Sequence, residues 1–217
     1  MLPSMQNLEL VLQQSATLHL ELDDLWGSFL PPTSQRGSVV AGYCSIVREH
    51  VLSQQRLLAL GFDVTAMTLV RPTFEALVRA IWSLQGANED WIRQFLTPPS
   101  PEADVRDETI KGPPVDSMLM TIEKHHPLWV HQSLAALKDA TWKPMHSYVH
   151  GGIRPVLQAL LGCPEPQKVA IVLNGNGFFM FATNVLQMTC SGPAGKIAEL
   201  QRRFRQCLPP APAVDSA

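Results

Sequence analysis

The chain has 217 residues, 46% of them hydrophobic and 17% charged, with a net charge of −2. That length can bury a full core in one large domain. The near-neutral balance excludes a global basic field for nucleic acid, so any RNA contact has to be local.

Cys44, Cys163, Cys190 and Cys207 lie far apart and form no C-x-x-C pair. This is the pattern of reduced cytosolic thiols, not of a disulfide framework or zinc knuckle. The opening Met-Leu-Pro-Ser-Met-Gln-Asn-Leu-Glu has no basic n-region and no apolar h-region, so no signal peptide is expected. The most apolar window, Val169 to Cys190, carries Asn174, Asn176, Asn184 and Gln187, which makes it a poor membrane span. A cytoplasmic protein without a membrane partner is expected.

Residues 5 to 29 place Leu8, Leu12, Leu18, Leu22, Leu25 and Phe29 at mostly helical spacing, and Pro31 and Pro32 stop this first helix. A second helix follows Arg36-Gly37 and runs to about Leu60, with Val40, Cys44, Val47, Val51 and Leu58 on one side. Gly61 is a natural C′ residue, and Asp63 is suited to cap the next helix.

That next helix is the centre of the chain. Met67, Val70, Phe74, Leu77, Val78, Ile81 and Leu84 share one broad apolar arc. Arg71, Glu75 and Arg79 form an i, i+4, i+8 ridge at its edge, with Trp82 in the same angular sector. Charges between apolar flanks need partners. Pro72 stands well inside the pattern, and a bend near Thr68 is expected because Met67 and Val70 extend the arc backwards.

A short helix is expected from Asn88 to Leu96. Thr97 to Val115 is then Pro-rich, charged and nearly free of apolar residues, which reads as a long loop, disordered or acting as a lid. Residues 116 to 139 read as two short helices broken at His126-Pro127. Thr141 or Lys143 opens another, with Pro144 in its first turn and His146, His150, Ile153, Arg154, Leu157 and Leu161 down one side. Gly151-Gly152 lies inside this stretch and is easiest to justify where a backbone or ligand comes close. Val169 to Met188 has a hairpin signal in Asn174-Gly-Asn-Gly, but one long buried helix with a tight packing zone is the preferred reading. A last helix runs from Pro193 to Cys207. The expected architecture is all-α: one helical-bundle domain over 1–207 with about seven to nine helices, then a disordered tail over 208–217.

Two ridges carry chemistry, Arg71/Glu75/Arg79 and His146/His150/Arg154, each pointing its side chains one way. If they face one another they form a polar patch bordered by Tyr148 and Trp82. Arg71-Glu75-Arg79 also reads as a structural ion-pair ladder, and the histidines as satisfied packing residues. His146 and His150 have the spacing of zinc-binding helices, with Glu75 as a third ligand. Ser147 occupies the glutamate place of H-E-x-x-H, so no metal and no cofactor are expected.

Arg71-Pro-Thr-Phe-Glu-Ala-Leu-Val-Arg-Ala-Ile-Trp82, followed by His146-Ser-Tyr-Val-His-Gly-Gly152, resembles an uncharacterised bacterial branch of the HEPN-like helical domains over roughly residues 40–190. The resemblance implies an all-α bundle, often a homodimer. Many such domains act on RNA in toxin–antitoxin or phage-defence systems as metal-independent ribonucleases, so RNA and a cognate antitoxin or regulatory protein are the implied partners. The nuclease members place an Arg, four to six residues and a His near a helix N-terminus. His150 matches the His, while Lys143 stands where the Arg is expected and Pro144 where a polar residue follows. On this reading His150 is the general base for the ribose 2′-OH and His146 a candidate acid. Lys143, Arg71 and Arg154 stabilise charge on phosphate. The alternatives are a non-catalytic partner-binding module that has lost the nuclease motif, and a metal-dependent hydrolase built on the His146/His150 pair.

Overall fold

The computed structural model describes residues 7–97, 112–193 and 195–210, and among them it contains ten α-helices and no strand. They run α1 (Leu8–Gly27), α2 (Gln35–Ala59), α3 (Asp63–Thr68), α4 (Val70–Gln85), α5 (Glu89–Leu96), α6 (Val115–His125), α7 (Leu128–Val149), α8 (Ile153–Leu161), α9 (Glu165–Gln187) and α10 (Lys196–Arg203). A 3-10 turn follows at Arg205–Cys207. The chain is a single all-α helical bundle.

Polar caps start three of these helices. The Asn7 side chain accepts from Glu9 N at 2.8 Å, Ser34 Oγ from Gly37 N at 3.0 Å, and Asn88 from Trp91 N at 2.7 Å. Helix α2 ends as expected at Gly61, whose φ is +79°. Phe62 N bonds to Leu57 O and Gly61 N to Leu58 O, the paired bonds of a Schellman stop. Asp63 does not cap α3. Its carboxylate pairs with Lys168 of α9 at 2.5 Å, because α9 passes beside the start of α3.

The expected bend near Thr68 is a break. Leu69 separates α3 from α4, and both the Thr73 amide (3.1 Å) and the Thr73 hydroxyl (2.5 Å) bond to Leu69 O. Pro72, in the first turn of α4, has no amide to offer there. Phe74, Leu77, Val78 and Ile81 are fully buried, and α4 packs against α2, α6, α7 and α9 as the centre of the bundle.

Helix α9 is continuous through Asn174-Gly-Asn-Gly177, so the hairpin alternative fails. A Cβ on Gly175 would sit 3.2 Å from Gln54 Oε1 and 3.5 Å from Val51 Cγ1, and one on Gly177 would meet Pro209 Cγ at 2.8 Å. The glycines let α2 and the Leu208–Pro210 segment approach the α9 backbone. By length and mean hydropathy α9 is able to cross a membrane, yet 61% of its most apolar stretch is buried inside the bundle.

Asn176 is the polar centre of that crossing. Its Oδ1 accepts from Gln55 Nε2 at 3.0 Å and lies 2.8 Å from His19 Nε2. Its Nδ2 donates to Ser15 Oγ and Cys207 O. Leu8–Glu165, His19–Asn176 and Trp26–Thr183 are hydrogen-bonded pairs with one common separation of 157 residues, so α1 and α9 run parallel and in register.

The Pro-rich segment expected to be a loop or lid falls mostly on 98–111, outside the described residues, as does the end of the expected tail, 211–217. Leu208 packs against the core and Pro209 against Gly177.

Candidate functional site

The two ridges meet through Arg71. This residue lies in the first turn of α4. Its Nε bonds to Glu75 Oε1 at 2.8 Å, and one terminal nitrogen reaches His146 Nδ1 at 2.9 Å. Its guanidinium carbon sits 4.4 Å from the centroid of the Trp142 ring, a cation–π contact. Trp142 in turn meets the edge of Phe74, which anchors it to the core. Arg71 and Glu75 are mostly shielded, while His146 and His150 are exposed.

The imidazoles of His146 and His150 lie 4.3 Å apart, inclined at 48°. A guanidinium only donates, so His146 Nδ1 is the acceptor and its neutral ring carries the proton on Nε2. Among the described residues no three His, Cys, Asp or Glu side chains converge on a point. Arg71 lies between Glu75 and His146 and holds both.

The expected helix over 143–161 is divided. Helix α7 runs from Leu128 through Pro144 to Val149, and His150 is its C-cap. Gly151 takes φ +64°, and Gly152 N bonds back to Ser147 O at 2.7 Å. A Cβ on Gly152 would fall 2.5 Å from Ser147 Oγ, so the close backbone that explains this glycine is the protein's own. Ser147 Oγ then accepts from Arg154 N, a first-turn amide of α8, at 3.2 Å. Arg154 therefore opens a new helix and does not continue the histidine ridge. Tyr148 donates its hydroxyl to Gln158 Oε1 across the α7–α8 seam, and burial raises its pKa.

Arg79 also leaves the site. Eight residues at about 100° each return 80° away from Arg71, so the ridge winds toward α2. There Arg79 hydrogen-bonds Tyr43. Trp82 is likewise distant in its contacts, packing edge-on against Trp91 at 4.8 Å. Lys143 lies in α7 one turn before His146, and nothing is described of its side chain.

Sequence reasoning missed Trp142 and Lys138. Lys138 Nζ lies 5.6 Å from the Trp142 centroid and pairs with Asp116. Lys138, Trp142, His146 and His150 are spaced four apart, so the i, i+4 rule that found the histidines extends to both.

Helix α8 is inverted. Pro155 and Gln158 face the bundle, while Ile153, Val156, Leu157, Leu160 and Leu161 face outward, with Leu160 and Leu161 75% and 82% exposed. At about 100° per residue these five fill one arc opposite the buried pair.

A family model described as "Family of unknown function (DUF6988)" matches residues 44–210, about three quarters of the chain. Helix α1 and the start of α2 lie outside that match. No curated protein and no solved structure matches the chain.

Proposed function

The chain belongs to the DUF6988 family of unknown function, and from its own residues we propose that it acts on RNA, as a cytoplasmic, metal-independent endoribonuclease of the HEPN-like kind. One observation carries this reading: two exposed imidazoles 4.3 Å apart, with a shielded guanidinium bonded to one of them. His150 takes the proton of a ribose 2′-OH as the O2′–P bond forms. The imidazolium so formed returns that proton to the departing 5′-oxygen as the P–O5′ bond breaks, leaving a 2′,3′-cyclic phosphate and a 5′-hydroxyl.

With its Nδ1 lone pair engaged by Arg71, His146 serves better as a hydrogen-bond donor to a phosphate oxygen through Nε2 than as the acid. Arg71 keeps further N–H groups for the same phosphate, and Lys143 adds charge one turn away. The assay is cleavage of a mixed pool of structured RNAs in EDTA by wild type, His150→Ala and Lys143→Arg. Loss of a general base lowers the rate by about 10²–10⁴-fold, and Lys143→Arg preserves or raises it because arginine grips phosphate at two points. An RNA pool left uncut by wild type and Lys143→Arg alike would end the ribonuclease reading.

A second reading, a partner-binding module, is favoured by the outward apolar face of α8. Contiguous exposed aliphatic surface marks an interaction site. A second copy of this chain packing α8 against α8 fits the stripe, because an i, i+3, i+4, i+7 pattern is self-complementary. A cognate antitoxin or regulatory protein is the competing occupant.

A further inference from the structure

Helices α7 and α9 flank α4 without closing over it. A cavity of about 490 Å³ lies over Leu77 between Trp129, Leu134 and Phe178, and a second of about 500 Å³ continues it over Ile81 and Leu84. Trp129, Phe181, Asn184 and Gln201 line both, so the two form one cleft. Its size is that of a small-molecule site.

Three features define what fits. One wall is aromatic: Trp129 is 59% exposed, and its ring lies nearly parallel to that of Phe181, at 24° and 5.9 Å. Among the described residues no Asp, Glu, Lys or Arg lines either cavity. His126, the one ionisable side chain there, has its pKa lowered by burial and its Nε2 3.1 Å from Ile81 O. The other polar side chains are the Ser133 hydroxyl and the amides of Asn174, Asn184, Gln187 and Gln201. Asn184 donates Nδ2 to Met180 O and leaves its Oδ1 as an acceptor, and the side chains of Asn174 and Gln201 make no hydrogen bond to another described residue.

A neutral, apolar, aromatic-walled cleft does not solvate a carboxylate or phosphate. Side-chain amides pair a donor with an acceptor, as the edge of a nucleobase does. We propose that this cleft binds a neutral planar nitrogen heterocycle of the nucleobase kind, stacked on Trp129 with its edge on Asn184 and Gln201. The site stands on the cleft alone and not on the ribonuclease reading, since Trp129 and His146 are about 25 Å apart along α7.

The test is ligand-detected NMR with three probes: adenosine, 1-naphthol (planar, without a base edge) and octan-1-ol. Adenosine binds wild type, and Trp129→Ala weakens it by about 5- to 150-fold, the range for loss of base–aromatic stacking. Gln201→Leu, at an exposed position that folding does not need, weakens adenosine up to about tenfold and leaves 1-naphthol bound as before. Octan-1-ol binding in preference to adenosine overturns the proposal, and so does an adenosine affinity unchanged by Gln201→Leu and Trp129→Ala. Neither result bears on RNA cleavage at His150.

Discussion

Arg71 donates to Nδ1 of His146 at 2.9 Å and so fixes which ring nitrogen carries the proton. The tautomer is thus set by a residue from another helix, itself held by Glu75 and stacked on Trp142. Arg71→Ala frees the ring to adopt either tautomer. The expected outcome is a changed nitrogen NMR signature for His146 and a loss of RNA cleavage on the order of 10²-fold. An unchanged His146 spectrum in the variant would show that the bond is not made in solution.

Arg79 serves as the internal control. It lies on the same helix but bonds Tyr43, on the α2 side. Arg79→Ala should lower the melting temperature and leave RNA cleavage per folded molecule within about twofold of wild type. A cleavage loss matching that of Arg71→Ala would place Arg79 back in the site.

Stability should fall in mild acid because of His19. Burial lowers its pKa from 6.5 to about 4, against the opposing hydrogen bond to Asn176 Oδ1. The unfolded chain takes up the proton near pH 6.5 and the folded chain only near pH 4. The contribution of His19 is therefore flat above about pH 7, drops between 6.5 and about 4, and has no further slope below that. The loss is on the order of 3 kcal/mol. His50 and His126, whose pKa values burial also lowers, act in the same direction. Urea melts of wild type and His19→Gln across this range give the comparison, and equal slopes would remove His19 as the cause.

Gly175→Val tests the α2–α9 crossing. The new side chain meets Gln54, which cannot swing away freely because its Nε2 is bonded to Ala66 O at 2.8 Å. Overpacking of this kind costs about 1–3 kcal/mol, or about 2–4 °C of melting temperature per kcal/mol at this size. A variant that melts at the wild-type temperature would mean the crossing relaxes.

Leu157→Glu with Leu160→Glu tests the α8 face. Both side chains point outward, so the fold should melt at nearly the same temperature. In sedimentation the wild type should run as a dimer and the double variant as a monomer. A monomeric wild type would exclude the second copy as the occupant of α8.

Much of the fold was legible because its signals are local. The apolar arc of α4, the stop at Gly61 and the short helix from about Asn88 are each decided by a few neighbouring residues. The paired ridges were legible because i, i+4 spacing is geometry. What failed turned on finer local geometry or on contacts of longer reach. Arg79 departs because a helix drifts 80° in eight residues. Gly151-Gly152 fits a helix interior as well as a stop, and the bond from Gly152 N to Ser147 O decides for the stop. Asp63 has cap chemistry, but its partner is Lys168, more than a hundred residues away. Trp142 lay within reach of the spacing rule, yet its stacking on Arg71 is a tertiary contact.

The parallel register of α1 and α9 sets an order on the ribosome. A helix that leaves the exit tunnel with Leu18, Leu22 and His19 uncovered finds its match only after Asn176 and Thr183 have been made, 157 residues later. Until then α1 is an apolar surface for chaperones to hold, and the bundle closes only once α9 has been made. Release of the chain before α9 is complete would leave an orphaned first helix and an open groove on α2.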